Sequence, residues 1–182
     1  MRKLSAIFIF LITVMILTTA CGNSSPISSK EMKARDGSII SAEERESIRA
    51  LVPYFKAVVS KDVPTVKGLY PFLKNAPEDR LLAVLNLYKF YVLRGVENTS
   101  FDGTKLKTSV IFDFEVITPG PAREISIAIA DVELVKENQT WTIASWKTSD
   151  RKDMAYFTEM ADKRILAEKR YGVDDLTTWE GL

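Results

Sequence analysis

Apolar residues in the first half of the chain recur at helical spacing. In "SAEERESIRALVPYFKAVVSKD", Ile48, Leu51, Val52, Phe55 and Val59 repeat every three or four positions, the period of a helix with one buried stripe. Ser41 followed three residues later by Glu44 is a capping-box pair that marks its start. Pro53 lies inside this helix and predicts a kink. Asp62 and Pro64 open a second, short helix that Pro71 closes after Tyr70. Asn75 and Pro77 introduce a third, "PEDRLLAVLNLYKFYVL", with Leu81, Leu85, Tyr88 and Val92 on one face and Leu82, Leu87 and Tyr91 widening it. So broad an apolar surface implies burial on more than one side, and Gly95 is the natural stop.

From Val96 the period changes to two. "VENTSF" meets "TKLKTSVIFDFEVI" across Asp102-Gly103, a strong hairpin signal. In the second strand Leu106, Thr108, Val110, Phe112, Phe114 and Val116 point one way, while Lys105, Lys107, Ser109, Asp113 and Glu115 point the other. This alternation predicts one core face and one wet face. After "PGPA" comes "REISIAIADVELVK"; pairing Val116 with Ile125, Phe114 with Ile127 and Phe112 with Ile129 keeps apolar residues on one side. The pattern breaks at Asp131, which predicts a β-bulge at Ala130 and Asp131. A last hairpin at Asn138-Gln139 leads into "TWTIASW", with Trp141 and Ile143 facing inward. The chain is therefore α+β: N-terminal helices packed in the concave face of a curved, bulged antiparallel sheet.

A further helix follows, "DRKDMAYFTEMADKRILAEKRY", capped by Asp150, with Met154, Phe157, Ala161 and Ile165 on one face and Gly172 beyond its end. Val173, Leu176 and Trp179 are then spaced as on a helix. Two readings stand for this extension. It packs on its own domain, or Leu176 and Trp179 form a contact with a partner chain.

The N-terminus has three zones: basic Met1-Arg2-Lys3, the apolar run "LSAIFIFLITVMIL" from Leu4 to Leu17, and small residues Thr18-Thr19-Ala20 before the only cysteine, Cys21. That layout is an export signal, and the apolar run is shorter than the roughly 20 residues a membrane-spanning helix needs. With the cysteine at the cut, the segment resembles the lipobox of bacterial lipoproteins, although Thr18 stands where that family prefers Leu. The resemblance implies that Cys21 is lipidated and becomes the mature N-terminus, anchored outside the cytoplasm to a bacterial membrane. "GNSSPISSK" after it reads as a flexible tether. The chain then divides into a signal peptide (1–20), lipidated Cys and tether (21–40), an α+β domain (41–149) and a C-terminal amphipathic helix and tail (150–182).

Without the signal, 162 residues remain with 23 basic and 24 acidic side chains. Near-neutrality argues against nucleic acid as a partner and against adhesion to anionic lipid by net charge. There is no histidine, so the commonest general base and metal ligand is missing. Neither a Ser-His-Asp nor a Cys-His arrangement can be built, and no phosphate loop or metal-loop pattern occurs. No cofactor is implied.

Three helices followed by a long, curved sheet, with "KDVPTVKGLYPFL" and the Trp-rich strand "WTIASW", resemble the cone-shaped fold of the nuclear transport factor 2-like superfamily. That superfamily includes ketosteroid isomerase, which runs acid-base chemistry on Asp and Tyr. The inward positions assigned here contain no carboxylate, so catalysis is not expected. Tyr54, Tyr88 and Tyr91, with Phe112 and Phe114, are candidates for a pocket or its mouth. The first functional reading is a membrane-anchored, non-catalytic accessory module of a cell-envelope assembly with a protein partner or a second copy. The alternative is a binder of a small apolar ligand in the cone; a third is a His-free isomerase or hydratase.

Overall fold

The computed structural model describes residues 32–117 and 124–182. The signal segment, Cys21, the "GNSSPISSK" tether and the "PGPA" turn lie outside the described residues. A short hairpin, β1 (Met32–Lys33) with β2 (Ile39–Ile40), precedes helices α1 (Ala42–Ser60), α2 (Val63–Leu69) and α3 (Glu78–Leu87). Four strands follow, β3 (Tyr88–Phe101), β4 (Lys105–Val116), β5 (Glu124–Glu137) and β6 (Thr140–Thr148), then helix α4 (Met154–Tyr171). The sheet is antiparallel in the order β3-β4-β5-β6. The architecture is α+β, a curved open sheet with helices on it.

Helix α1 starts as its sequence dictates: the Ser41 hydroxyl accepts the Glu44 amide at 3.1 Å. The capping box is half made, because the Glu44 carboxylate turns instead to Arg170 and Tyr171. Ile48, Leu51, Val52, Phe55 and Val58 are buried, whereas Val59 is exposed; the 48-51-55-58 spacing keeps one stripe on the sheet. Pro53 sits on the exposed side and the helix runs through it unbroken.

The third helix is shorter than its apolar pattern predicts. It ends at Leu87, and Tyr88 is already extended. "YKFYV" is aromatic and β-branched, which favours a strand, and β3 gains a ladder with β4 along almost its whole length. Lys61 assists the switch by donating to the carbonyls of Leu85 and Tyr88. The broad burial expected of this helix is corrected too: Leu81 and Leu85 are buried, but Leu82, Val84 and Leu87 are exposed. Gly95 is thus no helix stop. It lies within β3, where a Cβ would stand 2.9 Å from that of Ala167, so its missing side chain lets α4 approach.

Asp102 and Gly103 make the β3–β4 turn, Asp102 accepting from the amides of Thr104 and Lys105. The β4–β5 register is one residue away from the apolar-matching prediction: Phe112 pairs with Ala128, Asp113 with Ile127, and Ile111 with Ile129. No shift occurs at Ala130–Asp131. Ala128, Ala130, Val132 and Leu134 are the buried inward set of β5, small residues where the large Phe112 needs room. The bulge sits one ladder over, between β5 and β6 at Glu133–Leu134. Trp141 and Ile143 are buried as expected.

The second face of β4 is wet only at its start, where Lys105 and Lys107 reach solvent. Ser109, Ile111, Asp113 and Glu115 are all buried, because α4 crosses it: the Tyr156 hydroxyl accepts the Ile129 amide, and Arg164 reaches Asp113. Helix α4 is capped by Asp153, not Asp150. Its buried residues are Tyr156, Met160, Ala167 and Tyr171, while Met154, Phe157 and Ile165, the stripe expected to be buried, are exposed. Gly172 does end it, with φ 76°.

The tail then returns to the α1 side, touching both α1 and β3. Leu176 is fully buried and the Trp179 ring lies 5.4 Å from that of Tyr171. These two residues therefore pack on their own domain, as the first of the two readings has it. Residues 32–40, placed in the tether by sequence, are part of the fold as well. Ala34 and Ile40 are buried, and the Arg35 amide donates to the Arg170 carbonyl at the end of α4.

Candidate functional site

Under α1 the inner face of the sheet gathers aromatic rings. Phe55, fully buried, stacks on Tyr91 at 4.9 Å and meets Phe112 edge-on at 6.2 Å. Phe112 touches Tyr91, Phe114 and Trp146 at 5.2, 5.8 and 5.5 Å. Tyr88 lies edge-on to Tyr91 and Phe114. Tyr54 spans to Trp146 at 5.6 Å and to Tyr70 at 6.4 Å. The five residues singled out by sequence, Tyr54, Tyr88, Tyr91, Phe112 and Phe114, are thus brought together, with rings at ordinary edge and stacking separations.

Sequence reasoning missed Tyr70 and Trp146 as members of this group. Strict alternation from Trp141 and Ile143 puts Trp146 on the opposite face; the bulge that leaves Ala144 unpaired restores it to the inside. Two tryptophans an odd number of residues apart in one apolar strand are the signal that could have found it.

Burial pushes the hydroxyls of Tyr54 and Tyr91 well above the ordinary tyrosine value; Tyr88 and Tyr70 add to it at Tyr54, and Tyr54 and Tyr88 at Tyr91. Burial likewise raises Tyr88 and Tyr70. These phenols are neutral hydrogen-bonding groups at physiological pH and do not supply a base. Asp113 and Glu115, the carboxylates of β4, lie on the other face.

That other face holds a second constellation. Asp113, 1% exposed, receives Arg94 Nε and Nη2 at 2.8 Å each and Arg164 Nε at 3.5 Å, all on Oδ2. Glu115 pairs with Lys89, and Glu97 with Lys163. At the end of α4, Arg170 grips Glu44 with two nitrogens at 2.8 and 2.7 Å, and Tyr171 donates to the same carboxylate. Burial, then the Glu44 charge, pushes Tyr171 upward. Every acid here has a basic partner, although Asp113 Oδ1 is buried without a hydrogen bond; Arg94 and Lys89 tie β3 to β4, and Lys163, Arg164 and Arg170 clamp α4. Among the described residues no three acids, cysteines or histidines gather to hold a metal. An open cleft of about 850 Å³ runs between the N-terminal hairpin and α4, lined by Arg35, Ile165, Lys169 and Val173 among others.

No protein-family model matches the chain, and no curated protein does. Among solved structures it is similar to Rv3472, a protein of unknown function from Mycobacterium tuberculosis, at 11% sequence identity and a TM-score of 0.47, over 67% of this chain and 85% of that one. At that level the likeness assigns nothing to the residues described above.

Proposed function

We propose that the chain is a lipoprotein, anchored outside the cytoplasm through a lipid on Cys21, whose nuclear transport factor 2-like domain serves as a non-catalytic interaction module of a cell-envelope assembly. The observation that carries this reading is the ring packing on the inner face: Phe55, Tyr91, Phe112 and Trp146 occupy the space where a cone would otherwise hold substrate. A domain so filled works through its exterior. The paired state of the buried acids supports the same conclusion, since a general base needs an unengaged carboxylate within reach of substrate.

The address is tested by mass spectrometry of the mature N-terminal peptide, which should begin at Cys21 and carry a diacylglyceryl group. Cys21→Ser should abolish the modification and leave an uncleaved precursor. The role is tested by crosslinking the anchored chain in native membranes: a defined envelope complex supports it, and a chain that is always alone sinks it.

A second reading is favoured by one feature, the gathering of Tyr54, Tyr70 and Tyr88 hydroxyls beside the aromatic stack. Apolar sites with a few polar groups are the usual form of small-ligand pockets. In that case solvent extraction of the purified protein should yield an apolar compound in stoichiometric amount.

A further inference from the structure

The near-neutral net charge conceals a local asymmetry. Between Asp62 and Glu78 the chain has Lys67 and Lys74 and no acidic residue, and the two lysines bracket "GLYPFL". This stretch closes α2, turns through a 3-10 helix at Pro71–Leu73, and ends before α3. Phe72 at its tip is 82% exposed. The ring is held firmly, stacked on Tyr70 at 5.7 Å, and Tyr70 is itself edge-on to Tyr54. Lys67 is tied to the Ala76 carbonyl at 3.0 Å and sits 3.8 Å from Glu78. Lys74 forms no ion pair among the described residues.

We propose that this turn is a second membrane contact, in which Phe72 enters the boundary between headgroups and acyl chains of an anionic bilayer and Lys74 meets the phosphates. An exposed aromatic flanked by lysines is suited to that boundary, where the ring is buried and the ammonium groups remain wet. The occupant follows from size. One turn presents far less than the roughly 800 Å² per partner that a stable protein interface buries, whereas a domain already tethered to a bilayer needs only a weak second contact, because tethering raises its effective concentration there. Reach permits it. Cys21 precedes Met32 by eleven residues, a span of up to about 36 Å, against about 28 Å for the length of α1. The inference draws on the proposed lipid address only for the presence of a bilayer.

The test uses the chain from residue 21 onward with Cys21→Ser, which keeps every residue of the described fold and has neither signal nor lipid. It should sediment with vesicles of phosphatidylglycerol mixed with phosphatidylcholine and much less with phosphatidylcholine alone. Lys74→Glu and Phe72→Ser should each lower the partition coefficient by at least about fivefold, the effect of one lysine near an anionic surface, with the melting temperature unchanged. No sedimentation of the parent at low salt and at the highest lipid concentration, where even a contact too weak to hold without a tether registers, would overturn the proposal. So would equal sedimentation of the Phe72→Ser chain, or indifference to lipid charge. Absence of lipid on Cys21 would defeat the anchoring reading and leave this measurement untouched.

Discussion

Phe112 and Asp113 are neighbours in β4, both buried, and held by opposite means. Phe112 faces α1, where Phe55, Tyr91, Phe114 and Trp146 surround it with rings. Asp113 faces α4, where Arg94 and Arg164 converge on one carboxylate oxygen. One face of the sheet is stabilised by volume and the other by compensated charge. The difference shows that a strand with near-regular polar alternation can be covered on both sides, provided that its neighbours bring the counter-charges, here Arg94 from β3 and Arg164 from α4.

The largest effect should come from the side held by volume. Phe112→Ala is expected to cost about 3–5 kcal/mol in urea unfolding, the usual cost of deleting a buried aromatic ring. Asp113→Ala should follow at about 3 kcal/mol, because removing one partner of a buried pair strands the other; the Arg94 side chain is 11% exposed. Replacing the pair together, Asp113→Leu with Arg94→Met, should recover most of that loss. A near-silent Asp113→Ala would mean that the outer face is wet after all and that α4 does not cover it.

Alkali probes the inner face through its buried phenols, as it does Tyr171 on the other side. Tyr54 and Tyr91 are raised in the folded state from an ordinary value of 10.0, with burial as the main cause. Their neutral form is the one the fold favours, so their contribution is complete below pH 10 and is lost as pH rises above it, where the unfolded chain ionises and the folded one does not. Phenolate absorbance from these two should appear together with unfolding. If all six tyrosines titrate near pH 10 with the fold intact, the inner face is open to water.

Gly95 of β3 lies beneath α4, where its missing side chain leaves room for Ala167. Gly95→Ala would place its Cβ 2.9 Å from that of Ala167 and should cost about 1–2 kcal/mol, within the range for overpacking. Thermal unfolding of the single variant against the pair with Ala167→Gly would show whether the contact or the glycine itself is responsible.

The two faces were not equally legible in the sequence. The inner face was, because period-two alternation in β4 and the helical stripe of α1 report burial directly: Leu106, Val110, Phe112, Ile48, Leu51 and Phe55 are all inside. The outer face was not, since its cover is distant in sequence and its residues are charged. Nothing at Asp113 announces Arg94 or Arg164, 19 and 51 positions away. The β5 register failed for a related reason. Matching isoleucine to phenylalanine maximises apolar area on one side, whereas packing density favours alanine opposite Phe112 and releases Ile127 and Ile129 to the α4 side. The end of α3 failed because local helical periodicity runs on through "LYKFYVL", and only the partner strand decides otherwise. Of the candidate site, the tyrosines and phenylalanines were found by type and parity, and Trp146 was hidden by a bulge.

The smallest predicted effect discriminates between sequence pattern and structure on α4. By spacing alone, Met154, Phe157, Ala161 and Ile165 form the buried stripe; in the fold Met154 is 79% exposed and Met160 is 1% exposed. Two methionines on one helix thus offer a matched pair. Met154→Ser should change stability by no more than about 0.5 kcal/mol, as surface substitutions do. Met160→Ser, by contrast, deletes a buried side chain and leaves a hydroxyl there without an assured partner, for which a loss of at least about 2 kcal/mol is expected. Chemical denaturation of the two variants side by side reads the difference without reference to any ligand or partner. Equal costs, or a larger cost at Met154, would mean that α4 lies on the sheet by the other face, which would also separate Arg164 from Asp113 and leave the carboxylate to Arg94 of β3 alone.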